Sequence, residues 1–274
     1  MQVPALELWQ AETFVKVFQG GRTLPLQLEA FQRDSTGKKQ TLSLLTKSVG
    51  HPDVSDSWSL IAEIIGNLLA NYFGIKTPKP ALVLLTPDFV QAVQSDADFQ
   101  RQSQGRIKLA PGIAAGCEYL KGNAPITPVV IDLPKDQETA RRIFAYDMLV
   151  QNPDRRKDNA NAFLYNGEPT AYDFELCFSF LRVLSFARQP AWQIDDRLAQ
   201  DHLFFAGLRG KYHDWQPFRD ALALLDCDMI KQTFGELLEV FPVTNTFADQ
   251  VVRHLQDVQS HQDHFLQELE RSLK

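Results

Sequence analysis

Through the first fifty residues apolar and polar positions alternate, and turn residues interrupt the alternation. Phe14-Val15-Lys16-Val17-Phe18 anchors a run over 12–19 that ends at Gly20-Gly21. A second run covers 26–31 after Pro25, and a third covers 40–47 after the polar turn from Arg33 to Lys39. A period of two puts alternate side chains on one face, so these runs predict strands, the later two paired as an antiparallel hairpin. The period then changes. Over 57–73, Leu60, Ile61, Ile64, Ile65, Leu68, Leu69 and Tyr72 recur three and four residues apart, which predicts a helix. Ser55, Asp56 or Ser57 caps it, and Gly74 stops it ahead of Thr77-Pro78-Lys79-Pro80. Strands are expected again at 81–85 and 89–93, followed by a polar, mobile excursion over 95–112 and a short connection at 116–120.

Beyond Pro134 the pattern is helical over 136–151. Two short strands, 162–165 and 170–174, flank the turn Asn166-Gly167-Glu168-Pro169. From about residue 194 helices run to the end, with breaks near 207–210, 226–228 and 241–242, and a last helix spans 246–273. A strand-rich beginning followed by a helical remainder defines an α+β chain. The expected arrangement is two-lobed: a β-rich N-terminal lobe with one main helix, residues 1–120, and a mostly α-helical C-terminal lobe, residues 121–274.

Composition narrows the class. The chain has 274 residues, 44% hydrophobic and 23% charged, which suits a globular protein with a full core. A formal net charge of −6 argues against broad nucleic-acid binding. Cys117, Cys177 and Cys227 are far apart and lack metal-ligand spacing, as for reduced thiols in a cytoplasmic protein. No signal peptide or membrane span is expected, since no apolar run approaches the roughly 18 residues that a span requires.

The candidate chemistry sits in Asn152-Pro153-Asp154-Arg155-Arg156-Lys157-Asp158-Asn159-Ala160-Asn161 and, eleven residues on, Tyr172-Asp173-Phe174-Glu175. Two carboxylates and an amide oxygen in this order can hold Mg²⁺ on ATP phosphates and orient a hydroxyl for attack. Phosphoryl transfer also wants a lysine at the phosphates and a carboxylate to fix it. Lys47 ends a strand, and Glu63 lies on the next helix at the margin of its apolar face. The plainer alternatives are a solvated lysine, a surface glutamate, and a turn whose Asn and Asp side chains bond their own backbone. Asp173 lies between Tyr172 and Phe174, where an unpaired carboxylate would be costly. Arg155 and Arg156 either meet a substrate phosphate and stabilise Asp154, or form a solvated basic turn. Asn161 is a second amide near the metal or a polar strand start.

The ordered set resembles the HipA-like kinase family, bacterial relatives of the protein-kinase and phosphoinositide-kinase fold. The resemblance rests on Gly20-Gly21-Arg22-Thr23-Leu24-Pro25, Leu44-Leu45-Thr46-Lys47, Ile61-Ala62-Glu63, Phe73-Gly74-Ile75-Lys76-Thr77-Pro78, and the two segments above, across residues 14 to 180. It implies ATP and Mg²⁺ as cofactors and transfer of the γ-phosphate to a hydroxyl, chiefly Ser or Thr of a protein substrate. It further implies Asp154 as catalytic base, Lys47 on the phosphates, Glu63 positioning Lys47, and Asn159 with Asp173 on the metal. Gly20 and Gly21 would cover the phosphates, and Glu118 and Tyr119 would offer backbone groups to the base. The competing reading is a pseudokinase that binds and regulates a partner protein, which the short glycine pair favours and the complete metal set disfavours.

Overall fold

The computed structural model describes residues 6–19, 24–47, 57–126, 134–182, 189–241 and 245–274. Five strands, β1 (Glu7–Val17), β2 (Leu26–Arg33), β3 (Lys39–Lys47), β4 (Pro80–Leu85) and β5 (Gly112–Glu118), close into a barrel in the order β1-β2-β3-β5-β4. All neighbours are antiparallel except β1 and β4, whose parallel pairing closes it. Closure gives each of the five strands a neighbour on both sides along part of its length. Alternate residues point inward, so Leu28, Ala30, Leu44 and Val83 are fully buried at its centre.

Between β4 and β5 lie two helices, α2 (Pro87–Ser95) and α3 (Ala97–Ser103), where the sequence predicted a strand over 89–93 and a mobile excursion. The local signals for helix lie in the caps. Thr86 accepts from the Phe89 amide at 3.2 Å with Pro87 in the first turn, and Asp96 accepts from Phe99 at 2.8 Å. Phe89, Val90, Val93 and Phe99 then pack into the barrel's own cluster. The expected connection at 116–120 is mostly the end of β5.

α1 (Ser57–Tyr72) is buried on nearly every side. Its apolar residues belong to the core formed by the later helices, not to the barrel's core. Tyr72 donates to the Ala221 carbonyl at 3.0 Å, and Tyr146 donates to the Gly66 carbonyl. Each of its fully buried Leu and Ile side chains contributes about 1.5–3 kcal/mol on transfer from water.

The helical part comprises α4 (Pro134–Leu149), α5 (Asp196–Asp201), α6 (Phe205–Leu208), α7 (Gln216–Ala223), α8 (Cys227–Val240), α9 (Asn245–Ser260) and α10 (Gln262–Ser272). The single helix expected at 246–273 is therefore two, broken at His261. A small sheet of β6 (Ala124–Pro125), β7 (Ala162–Tyr165) and β8 (Glu168–Ala171) lies beside α4. Among the described residues, no helix is long and apolar enough to cross a membrane.

Candidate functional site

Lys47 is the last residue of β3, on the face opposite the barrel interior occupied by Leu44 and Thr46. Its ammonium lies 3.1 Å from Glu63, 2.7 Å from Asp173 and 3.1 Å from Glu175. Three N–H donors thus meet three carboxylates, drawn from α1 and from the segment that follows β8. Burial alone would lower the Lys47 pKa, but the charges of Asp173, Glu63 and Glu175 outweigh it and hold the ammonium well above its ordinary value. The Glu63 carboxyl is pushed up by its own burial, against the pull of Lys47 and with the repulsion of Asp173 and Glu175. One lysine against three carboxylates leaves the cluster short of positive charge.

Glu63 has a second task. Its Oε2 also accepts the Phe174 amide at 3.0 Å, tying α1 to the middle of Tyr172-Asp173-Phe174-Glu175. Asp173 takes a left-handed backbone (φ 61°), a conformation that Asp tolerates better than most residues. The turn aims its carboxylate at Lys47, while Phe174 enters the core beneath α1 and is fully buried.

The loop carrying Asp154 begins where α4 stops. Gln151 turns left-handed (φ 47°), and the Asn152 amide bonds the Asp147 carbonyl at 2.9 Å, a six-to-one closure of the helix end. The Asn152 side chain accepts the Asp154 amide at 3.1 Å, so the bonding of Asn and Asp side chains to local backbone does occur here. It occurs together with a convergence of amides on Asp154. Asn159 donates to the Asp154 carbonyl at 3.2 Å. Asn161, buried and at φ 41°, donates both to that carbonyl at 3.2 Å and to the Asp154 carboxylate at 2.9 Å. Asn161 is therefore more than a strand start, since it holds the Asp154 side chain directly.

Arg155 corrects both sequence expectations. It is neither a phosphate contact nor a solvated turn residue, but fully buried. Its Nε lies 2.6 Å from Asp147 Oδ2, it donates to the carbonyls of Asn161 and Tyr172, and its guanidinium stands 5.2 Å from the Phe174 ring centroid. One side chain thus joins the Asp154 loop to the Asp173 segment. Asp147 also accepts from His202 at 2.9 Å and Asn152 at 3.2 Å. Burial would raise the Asp147 carboxyl, but Arg155 and His202 outweigh it and lower it. Burial lowers the His202 pKa, and the Asp147 carboxylate only partly offsets it. Nδ1 accepts the Phe204 amide, which leaves the proton on Nε2 facing Asp147. Arg156 does reach solvent, with Asp158 3.4 Å away.

The N–H groups of Glu118 and Tyr119 are already engaged, by the Lys79 carbonyl at 2.9 Å and the Ser43 carbonyl at 2.8 Å. This corrects any expectation that these two donors wait for a base. The Tyr119 ring stands 5.7 Å from that of Phe18, the residue leading toward Gly20 and Gly21. Gly20 and Gly21 lie outside the described residues. The flanking chain is pinned by the Phe18 amide on the Pro25 carbonyl at 2.9 Å.

Glu175, Asp147 and His202 were not singled out from sequence. Asp147 carried a usable signal, a lone acid in the apolar run Phe144 to Val150, which demands a partner. His202 carried none. Among the described residues, no three His, Cys, Asp or Glu are placed to hold a metal by themselves.

Compared as a whole structure, the chain is similar to the crystal structure of the proinflammatory kinase CtkA of Helicobacter pylori. Identity is 10%, 98% of each chain is covered, and the TM-score is 0.46. It is also similar to a MAP kinase of Leishmania major, with 11% identity, 96% of this chain and 84% of that chain covered, and a TM-score of 0.25. No family model and no curated protein matches the chain.

Proposed function

We propose that this chain is a HipA-like, ATP- and Mg²⁺-dependent kinase that transfers the γ-phosphoryl group to a hydroxyl, chiefly Ser or Thr of a protein. The site would lie in a cleft between a β-rich N-terminal lobe and a helical C-terminal lobe that divide near residue 120. The observation that carries this reading is Lys47, from the barrel, meeting Glu63 of α1 and Asp173 of the later segment within 3.1 Å. A half-buried lysine fixed by a helix glutamate is a phosphate contact held ready, and a carboxylate beside it can share a cation with those phosphates.

The donor set fits Mg²⁺. Asp173 offers a carboxylate, Asn159 and Asn161 offer amide oxygens, and the excess negative charge favours a divalent cation. Three side chains leave part of an octahedral shell open, and the protein would share the ion with phosphate oxygens. When bound, the ion neutralises charge on the transferred group. Asp154, steadied by Asn161, would orient the acceptor hydroxyl and take its proton as the new oxygen–phosphorus bond forms and the bond to the β-phosphate oxygen breaks, releasing ADP. A cavity of about 260 Å³ beside Asn152, Pro153, Arg156, Arg197 and Asp201 leaves room for an acceptor chain along this loop.

The test is incubation of the protein with γ-labelled ATP, Mg²⁺ and a cell lysate, beside Asp154→Ala. Label on a discrete protein with wild type and none with the variant is the expected result. Nucleotide binding without transfer would redirect the reading to a pseudokinase. Melting behaviour unmoved by nucleotide with Mg²⁺ would remove the kinase reading altogether.

A further inference from the structure

Three carboxylates around one ammonium is one more than a lysine fixed by a helix glutamate and a metal-binding aspartate requires. The surplus group is Glu175. Its Oε2 lies 3.1 Å from Lys47 Nζ, as far as that of Glu63, but it approaches from the segment beyond Phe174. Glu63 and Glu175 side chains are 10% and 9% exposed, whereas Asp173 is 24% exposed. An ammonium has three protons, and here each has an acceptor. A phosphate oxygen can reach Lys47 only if one of them lets go.

We propose that Glu175 is a positioning residue that, with Glu63, holds Lys47 in place when Asp173 turns from the lysine to a nucleotide-bound cation. This rests on the kinase reading. Asp173 is the exchangeable acceptor because it is the most open of the three and has a cation to gain. Once it leaves, the freed N–H faces the phosphates, and two glutamates from different segments fix the other two. The grip is independent of Asp154, and it makes Phe174 the pivot. The Phe174 amide is held by Glu63, and its neighbours on either side are Asp173 and Glu175.

Binding of a fluorescent ATP analogue with Mg²⁺ is measured for wild type, Glu175→Gln, Lys47→Met and the double variant. Glu175→Gln is expected to weaken binding by about tenfold, the effect of one lost charge-assisted hydrogen bond. In the Lys47→Met background the same change is expected to have a much smaller effect. A parallel readout uses no nucleotide. An amine-reactive acyl reagent, followed at Lys47 by mass spectrometry, is expected to label Glu175→Gln faster than wild type, because a carboxylate has left the ammonium. If the glutamine variant does not fold, Glu175→Asp, which withdraws the oxygen by one methylene, carries the comparison. Equal weakening with and without Lys47, or none in either, overturns the role of Glu175 and leaves the kinase reading intact. Failure of wild type to bind the analogue overturns both.

Discussion

Gly66 on α1 and Phe174 are in direct contact. A Cβ added at residue 66 would stand 2.6 Å from the Phe174 Cβ and 3.2 Å from the Cys177 sulfur. The helix approaches the Asp173 segment this closely because residue 66 has no side chain, and the same approach brings Glu63 to the Phe174 amide.

Gly66→Ala should therefore disturb the site as well as the core. Overpacking costs typically about 1–3 kcal/mol, against up to about 1 kcal/mol gained from helix propensity. The expected outcome is a lower melting temperature and weaker Mg²⁺–nucleotide binding, since Phe174 moves with Asp173 and Glu175. Calorimetry and titration check both, and a variant unchanged in each would refute the coupling.

The Arg155–Asp147 pair is fully buried, so breaking it leaves a charge in the core. Arg155→Met alone is expected to cost about 3–5 kcal/mol in urea denaturation. Removing both charges, with Asp147→Leu added, should cost less than Arg155→Met alone. A double variant no more stable than the single one would contradict the account.

His254 bonds the Leu149 carbonyl at 2.7 Å, between Phe178 and Phe180, and its burial pulls its pKa from 6.5 to about 4. The unfolded chain thus takes up a proton before the folded one does. The stability tied to this group is complete above about pH 6.5 and falls as pH drops toward 4, by about 3 kcal/mol over that window. His202 is shifted in the same direction. Replacing His254 with Gln should flatten part of the loss, and denaturant midpoints across pH 4 to 7 would show it. A slope identical to wild type would exclude His254 as its source.

Gln102 of α3 accepts the Val17 amide at 2.8 Å with its side chain and the Gln19 side-chain amide at 2.8 Å with its carbonyl. It clamps the end of β1 just ahead of Gly20 and Gly21. Gln102→Ala removes the first bond and, under the proposed kinase function, should raise the KM for ATP several-fold with little change in kcat. Unaltered steady-state constants would leave Gln102 a purely structural clamp.

Much of the frame is legible in local pattern. Alternation located β2 and β3 and the 3.6-residue period located α1 and α4, because those elements bury apolar residues at a regular spacing. α2 misled because Phe89, Val90 and Val93 form a short apolar run, which by itself cannot separate strand from helix. Thr86 and Pro87 were the deciding residues. The break at His261 was hidden, since the apolar spacing continues across it. Lys47 and Glu63 were readable as a pair, one at a strand end and one on the next helix's margin.

The amino-acid order alone located β2, β3, α1 and α4 and marked Lys47, Glu63, Asp154, Asn159 and Asp173 as candidates for phosphotransfer chemistry. Tertiary structure alone decided the partners: Glu175 on Lys47, Asn161 on Asp154, and Arg155 in the core instead of on the surface. Periodicity reports which face of an element avoids water. A hydrogen bond or ion pair depends on two chain segments meeting within about 3 Å, a distance that no local pattern encodes.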